Sequence, residues 1–182
     1  VFGIARPVIF DPLPYANAGR LAAFWNPGWW GEEVYTDLRD KFAGFQLVAA
    51  HRPHDVTMRQ GDAPARLLPG ITTSYELFDV LGAKPMLGRT FKVGDDVQNA
   101  EPTAVISYGL WQELGGTQEV VGQRIVLDAT PYTVIGVMPR GFWYPTPAIR
   151  LWTARPINPT GRNGSFQFVG LVAPGNTPDN MA

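Results

Sequence analysis

The only two histidines, His51 and His54, stand in the run H-R-P-H with Asp55 beside them. On a helix this spacing sets two imidazoles on one face, where they could ligate a metal. Pro53 lies between them and argues against a helix. With no cysteine in the chain the pair cannot close a tetrahedral site, so the segment reads as a solvated loop and no metal is expected. Ser107 falls between a strand and a helix, where a hydrolase nucleophile would sit. Its context, I-S-Y-G-L, lacks the glycine two residues earlier that a nucleophile elbow needs, and capping the next helix explains it more simply. Glu32-Glu33 and Asp95-Asp96 are neighbours in sequence, whereas an acid and a base must converge from different environments. They read as a helix N-terminus and a solvated loop. The glycines of V-L-G-A-K-P-M-L-G and G-L-W-Q-E-L-G-G form neither nucleotide fingerprint, and no lysine and hydroxyl follow to hold a triphosphate. Asn163-Gly164-Ser165 matches a glycosylation sequon, a pattern too short to carry weight. No catalytic residue and no cofactor is expected.

Aromatic residues offer a different chemistry. Trp25, Trp29 and Trp30 cluster in one loop, and Trp143 with Tyr144 marks a second. Such rings plug the ends of a small core, form a membrane-proximal or partner surface, or stack on sugars and flat apolar ligands. All three readings stand on sequence alone.

The chain that must position these groups has 182 residues, 45% apolar and 17% charged, with 20 glycines and 17 prolines. It has enough apolar residues for a core and too many helix breakers for a coiled coil or helical bundle. Its length suits one domain or two small lobes. A net charge of -1 without a basic cluster argues against nucleic acid as a partner. No run approaches the roughly 18 apolar residues of a membrane span. The start at Val1, without an initiator methionine, reads as that of an excised or processed piece.

Punctuation and periodicity place the elements. Residues 1–15 read as a proline-broken helix or extended connector, and 20–25 as a strand. Val34, Leu38, Phe42 and Phe45 form a helical stripe, with Glu32 and Glu33 at its head and Arg39 and Lys41 near its end, which predicts a helix over 32–42. Residues 45–50 read as a buried strand, and 55–66 as an edge hairpin around Gln60-Gly61-Asp62. Thr73 and Glu76 have capping-box spacing before Leu77, Phe78 and Leu81, and Gly82 stands at the stop. A strand at 103–106 leads to a helix capped by Ser107 and ended by Gly115-Gly116. A hairpin joins 124–128 to 132–138 through Ala129-Thr130-Pro131. Strands follow near Leu151-Trp152 and at 166–172, and Thr177-Pro178-Asp179 begins a helix. Short helices among hairpins, without a βαβ rhythm, favour α+β.

The segments S-Y-E-L-F-D-V-L-G-A-K-P-M-L-G-R-T-F, A-V-I-S-Y-G-L-W-Q-E-L-G-G, E-V-V-G-Q-R-I-V-L-D-A-T-P-Y-T-V-I-G-V-M-P-R-G-F and D-P-L-P-Y-A-N-A-G-R-L-A-A-F-W resemble the MacB-like periplasmic core domain of FtsX/MacB-type ABC transporter permeases. The likeness departs at Asp11, where a basic residue is usual, at Asp128-Ala129 in place of an Asn-Gly-like turn, and after Thr177, where a closing helix and returning strand are missing. The resemblance implies a two-lobed extracytoplasmic domain. Residues 1–60 plus 160–182 would form a porter-like lobe, and 61–159 an inserted mixed α/β lobe. It also implies a periplasmic location on the bacterial inner membrane and no catalytic residues. The role implied is transmission of conformational change for export or partner engagement. Implied partners are the permease's own transmembrane helices, a cytoplasmic ATPase acting indirectly, and a second copy or a periplasmic adaptor. The alternative is a secreted carbohydrate- or lipid-binding module that uses Trp25, Trp29, Trp30, Trp143 and Tyr144.

Overall fold

The structure, a computed structural model, describes residues 4–5, 14–24, 31–60, 64–157 and 166–176. In chain order its first elements are β1 (Ile4–Ala5), β2 (Leu21–Phe24), α1 (Glu32–Lys41), β3 (Phe45–Pro53), β4 (Val56–Arg59), β5 (Arg66–Leu68), β6 (Gly70–Thr73) and α2 (Leu77–Leu81). There follow β7 (Leu87–Gly88), β8 (Thr103–Ile106), α3 (Tyr108–Glu113), β9 (Arg124–Leu127), β10 (Thr130–Val137), β11 (Leu151–Ala154) and β12 (Gln167–Val172). The fold class is α+β, as the sequence indicates. Two compact units divide the chain: Val1–Arg52 with Glu76–Ala83 and Pro156–Ala182, and Pro53–Tyr75 with Lys84–Arg155.

In the first unit the strands run in the order β1-β2-β12-β3, each neighbour antiparallel. Gly170 of β12 lies between Ala22 and Val48, and the Phe45 ring occupies the space a side chain there would need. Helix α1 has the charge pattern that complements its dipole, and Asp37 pairs with Lys41 at 2.6 Å in the favourable order. Its packing differs from the stripe read in the sequence. Tyr35 is buried at 2% exposure, while Phe42 lies past the helix end, 42% exposed, against Phe45. The Tyr35 hydroxyl donates to Glu76 Oε1 at 2.7 Å, so this ring can be buried with its polar end satisfied. Tyr35 packs with Val48, Ala50, Phe166 and Phe168.

Helix α2 also belongs to this unit. Its tie is to the N-terminal segment: the Asn17 backbone N–H donates to the Leu81 carbonyl, and its side-chain amide to that of Val80. The capping box does not form, because Thr73 is spent in β6 and its hydroxyl donates to the Ser74 carbonyl. The stop does form. Gly82 is left-handed at φ 67°, and Gly82 and Ala83 donate to the carbonyls of Asp79 and Phe78.

In the second unit the order is β6-β11-β8-β10-β9-β4-β5, with β7 on β10. It mixes parallel pairs (β6 with β11, β8 with β10) and antiparallel ones. Strands from β11 to β5 share one core, in which Val56, Met58 and Leu68 meet Ile106, Val134 and Leu151. Apolar burial of this kind contributes about 1.5–3 kcal/mol per large side chain. Ser107 caps α3, accepting from Leu110 N–H at 3.2 Å, and left-handed Gly115 and Gly116 end it. The β9–β10 hairpin is tighter than its sequence suggests. Leu127 pairs with Thr130, so the turn is Asp128-Ala129, both at positive φ. The pairing of Thr130 and Pro131 with β9 fixes the turn there.

Candidate functional site

The histidine run is only partly a loop: His54 and Asp55 lie between β3 and β4, with the His54 side chain 41% exposed, whereas His51 is in β3. β3 extends to Pro53 and buries His51 at 3% exposure in the first unit, where loss of solvation lowers its pKa to about 4. Burial along β3 is continuous from Val48 to His51, so the strand is covered on both faces there and His51 lies inside; H-R-P-H hid this behind its polar letters. His54 belongs to the second unit, and its ring stands among polar partners. Nδ1 lies 3.1 Å from Thr72 Oγ1, which lies 3.1 Å from Thr153 Oγ1, and Nε2 lies 3.8 Å from Asp128 Oδ2. Strand register builds the inner part of this chain, since Thr72 of β6 pairs directly with Thr153 of β11.

Asp128, His54 and Thr72 follow the order of a carboxylate, imidazole and hydroxyl relay. Thr72 is only 3% exposed, inside a strand paired with β11, so its hydroxyl has no approach for a substrate. The sequence reading missed Thr72, Thr153 and Asp128 as partners of His54. The one available signal was Asp128 at a left-handed turn, since such a turn residue often anchors a neighbouring strand. Here the Asp128 backbone N–H donates to the Thr57 carbonyl, and the Thr57 N–H to Asp128 Oδ1 at 2.8 Å.

Other polar groups are likewise spent on structure. Asp95, read as part of a solvated loop, is gripped by Arg89 through both carboxylate oxygens and by the Lys92 N–H. Burial alone would raise its pKa, but these bonds outweigh it and hold the carboxyl below its ordinary value. Asp96 accepts from the Tyr75 N–H at 3.0 Å. Glu32 is buried at 5% exposure at the head of α1. Glu113 bridges Arg66 (2.6 Å) and Arg150 (2.5 Å) beside a groove of about 250 Å³ lined by Met58, Gln60 and Pro64. Among the described residues no group of three or more His, Asp or Glu is placed to hold a metal ion.

The aromatic loops divide. Trp25, Trp29 and Trp30 lie outside the described residues, as do Asn163-Gly164-Ser165, the turn residues Gly61-Asp62, the departure at Asp11 and the helix read at Thr177. Trp143 is half-buried, whereas Tyr144 is buried at 8% exposure and its carbonyl accepts from Trp152 Nε1 at 3.1 Å. Phe142 packs on the same fully buried Trp152 ring. Among the described residues, no helix is long and apolar enough to cross a membrane.

Fold and polar clusters together define an α+β domain whose charges and hydroxyls fasten strands and loops. Residues 9–182 match the MacB-like periplasmic core domain, and the chain belongs to that family. It is the periplasmic core domain of an ABC transporter permease of the MacB/FtsX type, on the outer face of the bacterial inner membrane. Solved structures share its fold. A domain of a protein from Porphyromonas gingivalis assigned as a permease is 16% identical at a TM-score of 0.66, with 92% of this chain and 81% of that one covered. The extracellular domain of the noncanonic ABC-type transporter YknZ from Gram-positive bacteria is 20% identical at 0.62, covering 86% and 78%. The periplasmic region of MacB from Actinobacillus actinomycetemcomitans is 16% identical at 0.61, covering 82% and 67%. No curated protein matches the chain.

Proposed function

We propose that this domain is a non-catalytic transmitter. A cytoplasmic ATPase drives the permease's transmembrane helices, and the domain passes their movement to a second copy of itself or to a periplasmic adaptor, so that a substrate is expelled or a partner engaged. The observation that carries this reading is the match over 9–182 to the MacB-like periplasmic core domain. It is supported by the hydroxyls that sequence or geometry nominates for chemistry: Ser107 caps a helix and Thr72 is buried between strands. The two lobes, porter-like over 1–60 and 160–182 and inserted over 61–159, are the bodies we expect to move.

In this reading the loop of Trp25, Trp29 and Trp30, with Trp143, is the partner or membrane-proximal surface. Tyr144 contributes to the wall around Trp152 instead. The alternative, a carbohydrate- or lipid-binding module, draws no support from that burial. Crosslinking the full-length permease in membranes tests the proposal. Capture of a second external domain or an envelope partner is expected; if neither is ever captured, the transmitter reading fails.

A further inference from the structure

We propose that the free edge of β5 and the groove beside it take up an extended segment of a partner protein that carries an acidic side chain. β5 ends the strand order of the second unit, and among the described residues it pairs only with β4. Its register decides which backbone groups are free. Thr57, opposite Leu67, turns its N–H to Asp128 Oδ1 and its carbonyl to the Asp128 N–H, away from β5. Thr57 and Leu67 are therefore a pair without mutual hydrogen bonds, and the Leu67 N–H and C=O point out of the sheet edge. The Leu67 side chain is 66% exposed, while the next residue, Leu68, is buried with Val56 and Met58.

Arg66 stands opposite Met58 and shares the inner face with Leu68. There it lines the groove of about 250 Å³ together with Met58 and with Glu113 of α3. The groove thus lies between an edge strand and a helix, the arrangement in which an added strand bonds along the edge while its alternate side chains enter pockets. Charge selects the side chain that enters. The Glu113 carboxylate serves two guanidinium groups, Arg66 through Nη1 and Arg150 through Nη2, so one positive charge is in excess. Among the described residues the other donors of both arginines are unspent.

A residue bonded to Leu67 sets its own chain neighbours on the inner face, and one of them stands opposite Arg66. A carboxylate at that position completes a charge-assisted pair across the strands. Pro64 and Pro69 bracket β5 and keep the edge short, which holds back pairing with strands that lack this anchor. For its role the site rests on the transmitter reading, in which it is a place to hold a partner; its binding does not depend on that reading.

Two short capped peptides, Thr-Val-Glu-Val-Thr and Thr-Val-Gln-Val-Thr, titrated into the full chain, test this through the NMR shift and hydrogen exchange of the Leu67 amide. The Glu peptide should move and protect that amide, and bind about two- to fivefold more tightly than the Gln peptide, the size of a half-exposed ion pair. Arg66→Gln should erase the preference. Leu67→Pro removes the outward N–H and none of the bonds to β4, so it should weaken both peptides, whereas Leu67→Thr should bind them as the wild type does. No movement of the Leu67 amide with either peptide, an unchanged preference in a folded Arg66→Gln variant, or undiminished binding by a folded Leu67→Pro variant would overturn the proposal. Movement of the amide with protein concentration alone would assign the edge to a second copy and overturn it too. The titration needs neither membrane nor ATPase, so its failure leaves the transmitter reading standing, and failed crosslinking of the permease leaves the edge site standing.

Discussion

Gly88 and Gly136 are register partners where β7 meets β10, and neither leaves room for a side chain. A Cβ on Gly88 would strike the Ile135 carbonyl oxygen, and one on Gly136 would strike that of Arg89. Gly88 is also left-handed, at φ 68°, and β10 shifts register against β8 between Val134 and Gly136. The segments P-M-L-G-R-T-F and Y-T-V-I-G-V-M-P, which carry the family likeness, therefore meet backbone to backbone at their glycines. Gly136→Ala and Gly88→Ala should each lower the free energy of unfolding by at least about 2 kcal/mol in urea titrations. Gly94→Ala, at φ 96° in open space, should cost only about 1 kcal/mol.

The arginine after Gly88 holds the loop that follows. Asp95→Asn should leave the fold intact but expose residues 92–99 to faster proteolysis, because Arg89 and the Lys92 N–H lose their ionic acceptor. The Asp95 carboxyl is held below its ordinary value, so its contribution is present at neutral pH. That contribution is lost as acid takes the pH below the ordinary carboxylate range and through the lowered value. Proteolysis of the wild-type loop should accelerate over that interval, and in Asp95→Asn it should not change with pH.

The burial of His51 makes stability depend on pH. Its folded pKa, about 4, lies below the ordinary 6.5, so the unfolded chain binds a proton that the folded chain refuses. Stability is therefore greatest above about 6.5 and falls as the pH drops toward 4, by about 2 kcal/mol between pH 7 and 5. Chemical denaturation at the two pH values checks this, and His51→Leu should flatten the difference.

Tyr35→Phe removes the donor to Glu76 and leaves that carboxylate, 2% exposed, without this hydrogen bond. The expected loss is about 1–3 kcal/mol in the first unit, measured by unfolding, and Glu76→Gln should be milder because an amide is less costly to bury.

What was legible in the sequence was local. Ser107, Gly82, Gly115 and Gly116 announce helix ends, because a cap or a left-handed stop needs only its immediate neighbours. The β9–β10 hairpin was visible too, although the turn fell on Asp128-Ala129. What hid was set by partners distant in the chain. Tyr35 replaces Phe42 inside because Glu76, 41 positions away, meets its hydroxyl. Thr73 cannot cap α2 because β11 holds its strand. His54 reads as a solvated side chain until β6 and the Asp128 turn arrive beside it. The family likeness was legible because it rests on glycines and prolines whose spacing survives in the linear text.

The central claim is that this domain moves with the ATPase cycle and passes the movement on. The chain has no cysteine, so Val93→Cys and Leu67→Cys, at positions 73% and 66% exposed, give single labelling sites in the domain of the full-length permease. The most direct measurement is the spin-label distance between two copies of the permease in membranes, with and without ATP. The account predicts a distance distribution that shifts when nucleotide binds and returns after hydrolysis. Identical distributions in every nucleotide state, in a permease whose ATPase is active, would contradict it.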